Sequence, residues 1–123
     1  MDKRKILIVD DDEAVLDFLQ LKLGARYDIV STNAPENVLK LAREHRPSLI
    51  LCDVDMPGLD GGDVSSQLFA DPELRHVPML FLTALATPQD IKRLAGQLGG
   101  RPAASKSEPV EKLVQRIESL LAA

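Results

Sequence analysis

The chain is expected to fold as an α/β domain, a five-stranded parallel sheet with helices on both faces. Three observations carry this expectation. Short apolar runs recur, ILIV at 6–9, LILC at 49–52 and MLFL at 79–82. Between them lie segments whose apolar residues repeat at helical spacing. The runs are apolar at every position instead of alternating, as strands buried on both faces are. Run and helix together repeat five times, roughly every 20–25 residues, the rhythm of a parallel sheet with crossover helices.

ILIV is the first strand. Residues 13–23 follow with Val15, Leu16, Leu19 and Leu23 on one helical face, and Gly24 is placed to stop that helix. YDIVS at 27–31 is a second, weaker strand. Residues 36–44 carry Val38, Leu39 and Ala42 at helical spacing, with Pro35 suited to a first turn. LILC is the third strand. A loop rich in Pro and Gly, DMPGLDGG, precedes a helix near 62–70, and MLFL is the fourth strand. Thr87 followed by Pro88 opens a helix whose apolar face is Ile91, Leu94, Ala95 and Leu98. A weak fifth strand is expected near 102–105. The last helix, about 109–121, has one apolar stripe of Val110, Leu113, Val114, Ile117, Leu120 and Leu121.

A length of 123 residues suits one domain with one core. Aromatics are only 3% of the chain, so that core must be built from Leu, Val, Ile and Ala. The formal net charge of -4 argues against broad nucleic-acid binding, which needs a basic face. A lone cysteine, Cys52, permits no internal disulfide and reads as a small core residue. No apolar run approaches a membrane span, and MDKRK leads into too few apolar residues for a signal peptide. The expectation is a soluble cytoplasmic protein, bound neither to membrane nor directly to nucleic acid.

In open α/β sheets ligands bind outside the carboxyl ends of the strands. The first strand ends in Asp10 and Asp11, the third in Asp53 with Asp55 two residues on, and the fourth in Thr83; Lys106 follows the fifth. Carboxylates held together destabilise one another unless a cation sits among them. Oxygen-only ligands suit a hard divalent ion, Mg²⁺ above all, which also binds phosphate oxygens. Taken singly, each residue has a plainer reading as a cap, a turn residue or a solvated lysine; their joint placement carries the inference. Asp12 is a natural N-cap, and Glu13 suits the positive end of the helix dipole. His45 and His76 read as surface loop residues without a second ligand nearby.

With these marks assembled, IVDDD at 8–12, DVDMPGLDG at 53–61, LTA at 82–84 and SKS at 105–107, the chain resembles a response-regulator receiver domain of two-component signalling. The resemblance covers essentially all of residues 1–123, read as one domain, and implies the flavodoxin-like, CheY-like strand order 2-1-3-4-5. It implies that Asp53 accepts a phosphoryl group from the phosphohistidine of a histidine kinase or phosphotransfer protein. Asp11 would bind Mg²⁺ directly, Asp10 mainly through water, Asp53 by a carboxylate oxygen and Asp55 by its backbone carbonyl. Thr83 and Lys106 would hold phosphoryl oxygens, Ala84 would leave the acceptor accessible, and Asp55 and Leu85 would tune the phosphoryl lifetime. Such a domain is a signalling phosphoacceptor, not an enzyme with a separate substrate. It would switch a surface for a downstream effector, and the face of the fourth helix, fifth strand and fifth helix could also serve a homodimer.

Two positions depart from the family pattern. Ser107 stands where proline usually follows the lysine, and a trans peptide is expected before it. Ala103 stands where an aromatic usually lies, so switching is expected through backbone shift or changed order across residues 84–110. Two other readings compete. An interaction module that no longer uses phosphorylation would bind its partner regardless of Asp53→Ala. A haloacid-dehalogenase-type phosphatase would use Asp53 and Asp55 as nucleophile and acid, but that family places the pair after its first strand.

Overall fold

The computed structural model describes residues 3–54, 61–84, 87–93, 97–98 and 101–122. Five strands, β1 (Lys5–Val9), β2 (Asp28–Thr32), β3 (Leu49–Asp53), β4 (Met79–Thr83) and β6 (Arg101–Ser105), pair in parallel in the spatial order β2-β1-β3-β4-β6. This is the expected 2-1-3-4-5 arrangement. A two-residue strand, β5 (Gln97–Leu98), adds an antiparallel edge to β6.

The helices are α1 (Glu13–Leu23), α2 (Val38–His45, preceded by a 3₁₀ turn at Pro35–Asn37), α3 (Gly61–Ala70), α4 (Pro88–Arg93) and α5 (Val110–Ala122). Alternate strand residues feed two separate cores. Leu7, Val9, Ile50, Cys52, Met79, Phe81 and Ala103 pack with Val38 and Ala42 of α2, Val64 and Leu68 of α3 and Ile91 of α4. Ile6, Ile8, Leu49, Leu51, Leu80, Leu82 and Ala104 pack with Leu16 and Leu19 of α1 and Leu113 and Ile117 of α5. Burial on both faces explains why these strands are apolar at every position. It also makes the pairing register rigid, since a slip of one residue would exchange the two cores.

Local chemistry accounts for the helix ends. Asp12 caps α1 as expected, its Oδ1 accepting from the Ala14 N–H at 2.9 Å. Gly24 ends α1 in a right-handed conformation, and a Cβ there would lie 2.5 Å from the Gln20 carbonyl oxygen. Its value is therefore close approach, not a left-handed φ. The left-handed cap falls instead on Arg46 after α2, at φ 49°. Thr87 and Asp90 cap α4 reciprocally, the Asp90 N–H donating to Thr87 Oγ1 at 3.1 Å and the Thr87 N–H to Asp90 Oδ2 at 2.9 Å.

Three expectations need correction. Leu98 is not on the fourth helix; it is in β5, opposite Arg101. In the sequence a glycine pair follows Leu98, and such a pair disfavours a continuing helix. His45 is the last residue of α2 and half-buried, not a loop residue, whereas His76 is exposed in a turn. The second strand begins at Asp28, one residue later than expected. Tyr27 is buried outside it, with its hydroxyl donating to Glu118 Oε2 of α5 at 2.9 Å.

Candidate functional site at the carboxyl edge of the sheet

The strands β1, β3 and β4 bring Asp10, Asp53 and Thr83 to one edge. Asp10 follows β1, continuing the pairing with β2 by donating its N–H to the Thr32 carbonyl at 3.2 Å. Asp53 is the last residue of β3, and Thr83 the last of β4. Asp10 and Asp53 are 1% and 5% exposed, so their carboxyls sit at the floor of the site, while Asp11 is exposed at its rim. One oxygen from each of Asp10, Asp11 and Asp53 lies within 4.8 Å of the others. The Asp10 carboxylate is held by the Asp12 N–H, which donates to its Oδ1 at 3.0 Å.

Lys106 reaches across from the end of β6. Its ammonium lies 2.7 Å from Asp10 Oδ2 and 3.3 Å from Asp53 Oδ1. Burial pulls the lysine pKa down, but the hydrogen bond to Asp10 and the charges of Asp10 and Asp53 outweigh it and hold the pKa above the ordinary lysine value. Lys106 is therefore firmly cationic. One ammonium against three carboxylates still leaves the cluster formally anionic, and its donors are all oxygen. That donor set fits a hard dication of the Mg²⁺ type.

The loop carrying Lys106 needs no proline. The Lys106 N–H donates to the Thr83 carbonyl at 2.8 Å, which extends the sheet by one residue. Ser105 Oγ accepts from the Ser107 N–H at 3.2 Å and shares a 2.8 Å hydrogen bond with Ser107 Oγ. This hydroxyl turn takes over the shaping of the loop. There is no cis peptide among the described residues, in keeping with a trans bond before Ser107. Ser105 was not singled out in the sequence; the Ser-Lys-Ser spacing was the signal available for it. Ala103 is fully buried, and its partner in register is Phe81, so the large side chain at this level of the sheet lies on β4.

Of the expected site residues, Asp10, Asp11, Asp53, Thr83 and Lys106 thus gather at the same edge. Ala84 is exposed beside Thr83. Asp55 and Leu85 lie outside the described residues. A cavity of about 210 Å³ opens beside Lys106 between α1 and α5, lined by Val15, Phe18, Leu82, Val110 and Leu113. Among the described residues no helix is long and apolar enough to cross a membrane.

Comparison with known proteins identifies the family and the fold. The family profile of the response regulator receiver domain matches residues 6–118. The polar-differentiation response regulator DivK of Brucella anthropi is 36% identical over 119 residues, 96% of each chain, and that of Brucella ovis 35% over the same length and coverage. A response regulator structure from Chloroflexus aurantiacus J-10-fl superposes with a TM-score of 0.84 at 31% identity, covering 99% of this chain and 100% of that one. The receiver domain of a sensor histidine kinase from Pseudomonas aeruginosa PAO1, solved with a magnesium ion in its active site cleft, shares the fold at a TM-score of 0.82 and 22% identity, over 98% and 99% of the two chains. The chain belongs to the response regulator receiver domain family of two-component signalling.

Proposed function

We propose that Asp53 is a phosphoacceptor, taking a phosphoryl group from the phosphohistidine of a histidine kinase or histidine phosphotransfer protein in a Mg²⁺-dependent step. The observation that carries this reading is the placement of the Lys106 ammonium between Asp10 and Asp53, with Asp11 at the rim of the same cluster. Asp10, Asp11 and Asp53 would hold the ion, joined by the backbone carbonyl of Asp55. Bound there, the dication supplies positive charge against the phosphoryl oxygens.

The chain's own residues do the rest. A carboxylate oxygen of Asp53 attacks phosphorus as the phosphorus–nitrogen bond to the donor imidazole breaks, and the imidazole leaves with its electron pair and takes a proton. Lys106, already 3.3 Å from Asp53, neutralises charge on the transferred group. The Thr83 hydroxyl donates to a second phosphoryl oxygen, and the small Ala84 leaves the approach open. By the family resemblance, Asp55 and Leu85 would tune the rate at which water later hydrolyses the acyl phosphate. The product is a switched protein surface read by a downstream effector, in keeping with a cytoplasmic signalling role.

Incubation with acetyl phosphate and Mg²⁺, followed by intact mass measurement, tests the reading. The expected result is one phosphoryl adduct, absent without metal and absent in Asp53→Ala. If no adduct forms and the protein also fails to bind beryllofluoride, the phosphoacceptor reading is wrong.

A further inference from the structure

A second feature lies at the opposite edge of the sheet, where β4 and β6 begin. Phe69, next to last in α3, is 60% exposed although it is one of the three aromatic phenyl rings in the chain. Two guanidinium groups flank it. Arg75, in the turn after α3, lies 5.7 Å from the ring centroid, and Arg101, the first residue of β6, lies 6.0 Å from it. Together with Ser65 and Leu74 they line a shallow cleft.

The charges around the cleft are unevenly matched. The neighbouring Arg43 is spent on Asp71, at 2.7 Å, and Arg46 on Glu73, at 3.2 Å. Asp71 is further engaged as a turn cap, accepting from the Glu73 N–H at 2.9 Å. Among the described residues, Arg75 and Arg101 have no carboxylate within ion-pair distance. Two cations whose planar forks suit carboxylates thus frame an exposed apolar ring, on a protein whose overall charge is -4. Arginine and aromatic side chains are also the usual anchors of protein interfaces.

We propose that Phe69, Arg75 and Arg101 form a docking site for an acidic peptide segment of a partner protein, one bearing an apolar side chain beside its carboxylates. The carboxylates pair with the two guanidiniums and the apolar side chain covers the Phe69 ring. The net negative charge elsewhere repels a long polyanion such as nucleic acid, so a short acidic segment fits better. A β-strand of five residues separates this cleft from Asp53, roughly 15 Å at the usual rise. Docking here therefore needs neither the acid cluster nor its phosphorylation, and it goes beyond the phosphoacceptor role.

The test uses the whole chain and a fluorescein-labelled peptide of alternating glutamate and leucine, read by fluorescence anisotropy. Saturable binding is expected, weakened about tenfold or more by Arg75→Glu with Arg101→Glu, as the loss of two interface arginines implies. Phe69→Ala should weaken it severalfold, and Asp53→Ala should leave it unchanged. If charge reversal disturbs the far-ultraviolet circular dichroism, Arg75→Gln with Arg101→Gln takes its place. The proposal is overturned by absence of saturable binding, or by full binding in the double variant. It is equally overturned if inorganic phosphate or a single-stranded oligonucleotide displaces the peptide at lower concentration than unlabelled peptide does. Because Asp53→Ala is neutral in this assay, its outcome is separate from that of the acetyl phosphate experiment.

Discussion

Lys106 shows how far one side chain can be read without its surroundings. Its presence after the last strand, and its likeness to a phosphoryl-binding lysine, were legible in the sequence. Its 2.7 Å pairing with Asp10 was not, because that contact joins residues 96 positions apart and depends on β1 and β6 flanking the two central strands. The pairing has a measurable consequence. Lys106→Met leaves Asp10 and Asp53, both nearly buried, to repel each other, at a cost of roughly 1–3 kcal/mol. The variant should melt at a lower temperature without metal, and added Mg²⁺ should raise its melting temperature more than it raises that of the parent. An equal response to Mg²⁺ in both proteins would contradict this account. Tyr27 offers a second residue-scale case. Burial first, and then its hydrogen bond to Glu118, raise the phenol pKa well above the ordinary tyrosine value. A group whose folded pKa is raised lends stability that is complete below its unfolded pKa, about 10, and is lost as pH climbs beyond it. Tyr27→Phe should therefore cost about 1 kcal/mol at neutral pH. It should also flatten the alkaline limb of a plot of stability against pH, measured by urea unfolding.

Helices and strands were legible wherever a strong pattern met an ordinary connection. The bounds of α1 match the expected 13–23, and the strands built on ILIV, LILC and MLFL each extend by no more than one residue beyond the apolar run. The pattern misled most where two signals conflicted. Ile91, Leu94, Ala95 and Leu98 have helical spacing, but the glycine pair after Leu98 disfavours a continuing helix, and Leu98 joins the sheet edge instead. The cap of α2 was also hidden, because nothing in the sequence marks arginine as a left-handed residue. Arg46 adopts φ 49° and ψ 61°, donating its N–H to the Ala42 carbonyl at 2.9 Å. A non-glycine residue pays roughly 1–2 kcal/mol there, whereas glycine's extra unfolded-state freedom costs about 0.5–1 kcal/mol. Arg46→Gly should thus stabilise the protein by roughly 0.5–1 kcal/mol, since the exposed ion pair it removes contributes little. Chemical denaturation would detect the gain as a higher midpoint at unchanged slope.

At the scale of the whole molecule, the sheet has two working edges and two cores. The carboxyl edge holds the acid cluster, and the amino edge holds the Phe69 cleft. If Asp53 is phosphorylated as proposed, the response is expected on the β4–β6 side, where Thr83 and Lys106 both stand. Ala103 lies buried within β6 and has no side chain to rotate, so the proposed response is a backbone shift or changed order. Hydrogen exchange with and without beryllofluoride should show altered protection within residues 84–110 and little change in β1, β2 and α2. Unaltered protection across 84–110 would leave the switch without a carrier. The two-sided burial of β3 has a further use. Cys52, the only sulfhydryl in the chain, is sealed between the layers at 0% exposure. An alkylating reagent can meet it only when the sheet comes apart, so its rate of capture is a stopwatch for global opening. A single cysteine engineered onto the surface would, for the same reason, be the one handle a dye or spin label could find.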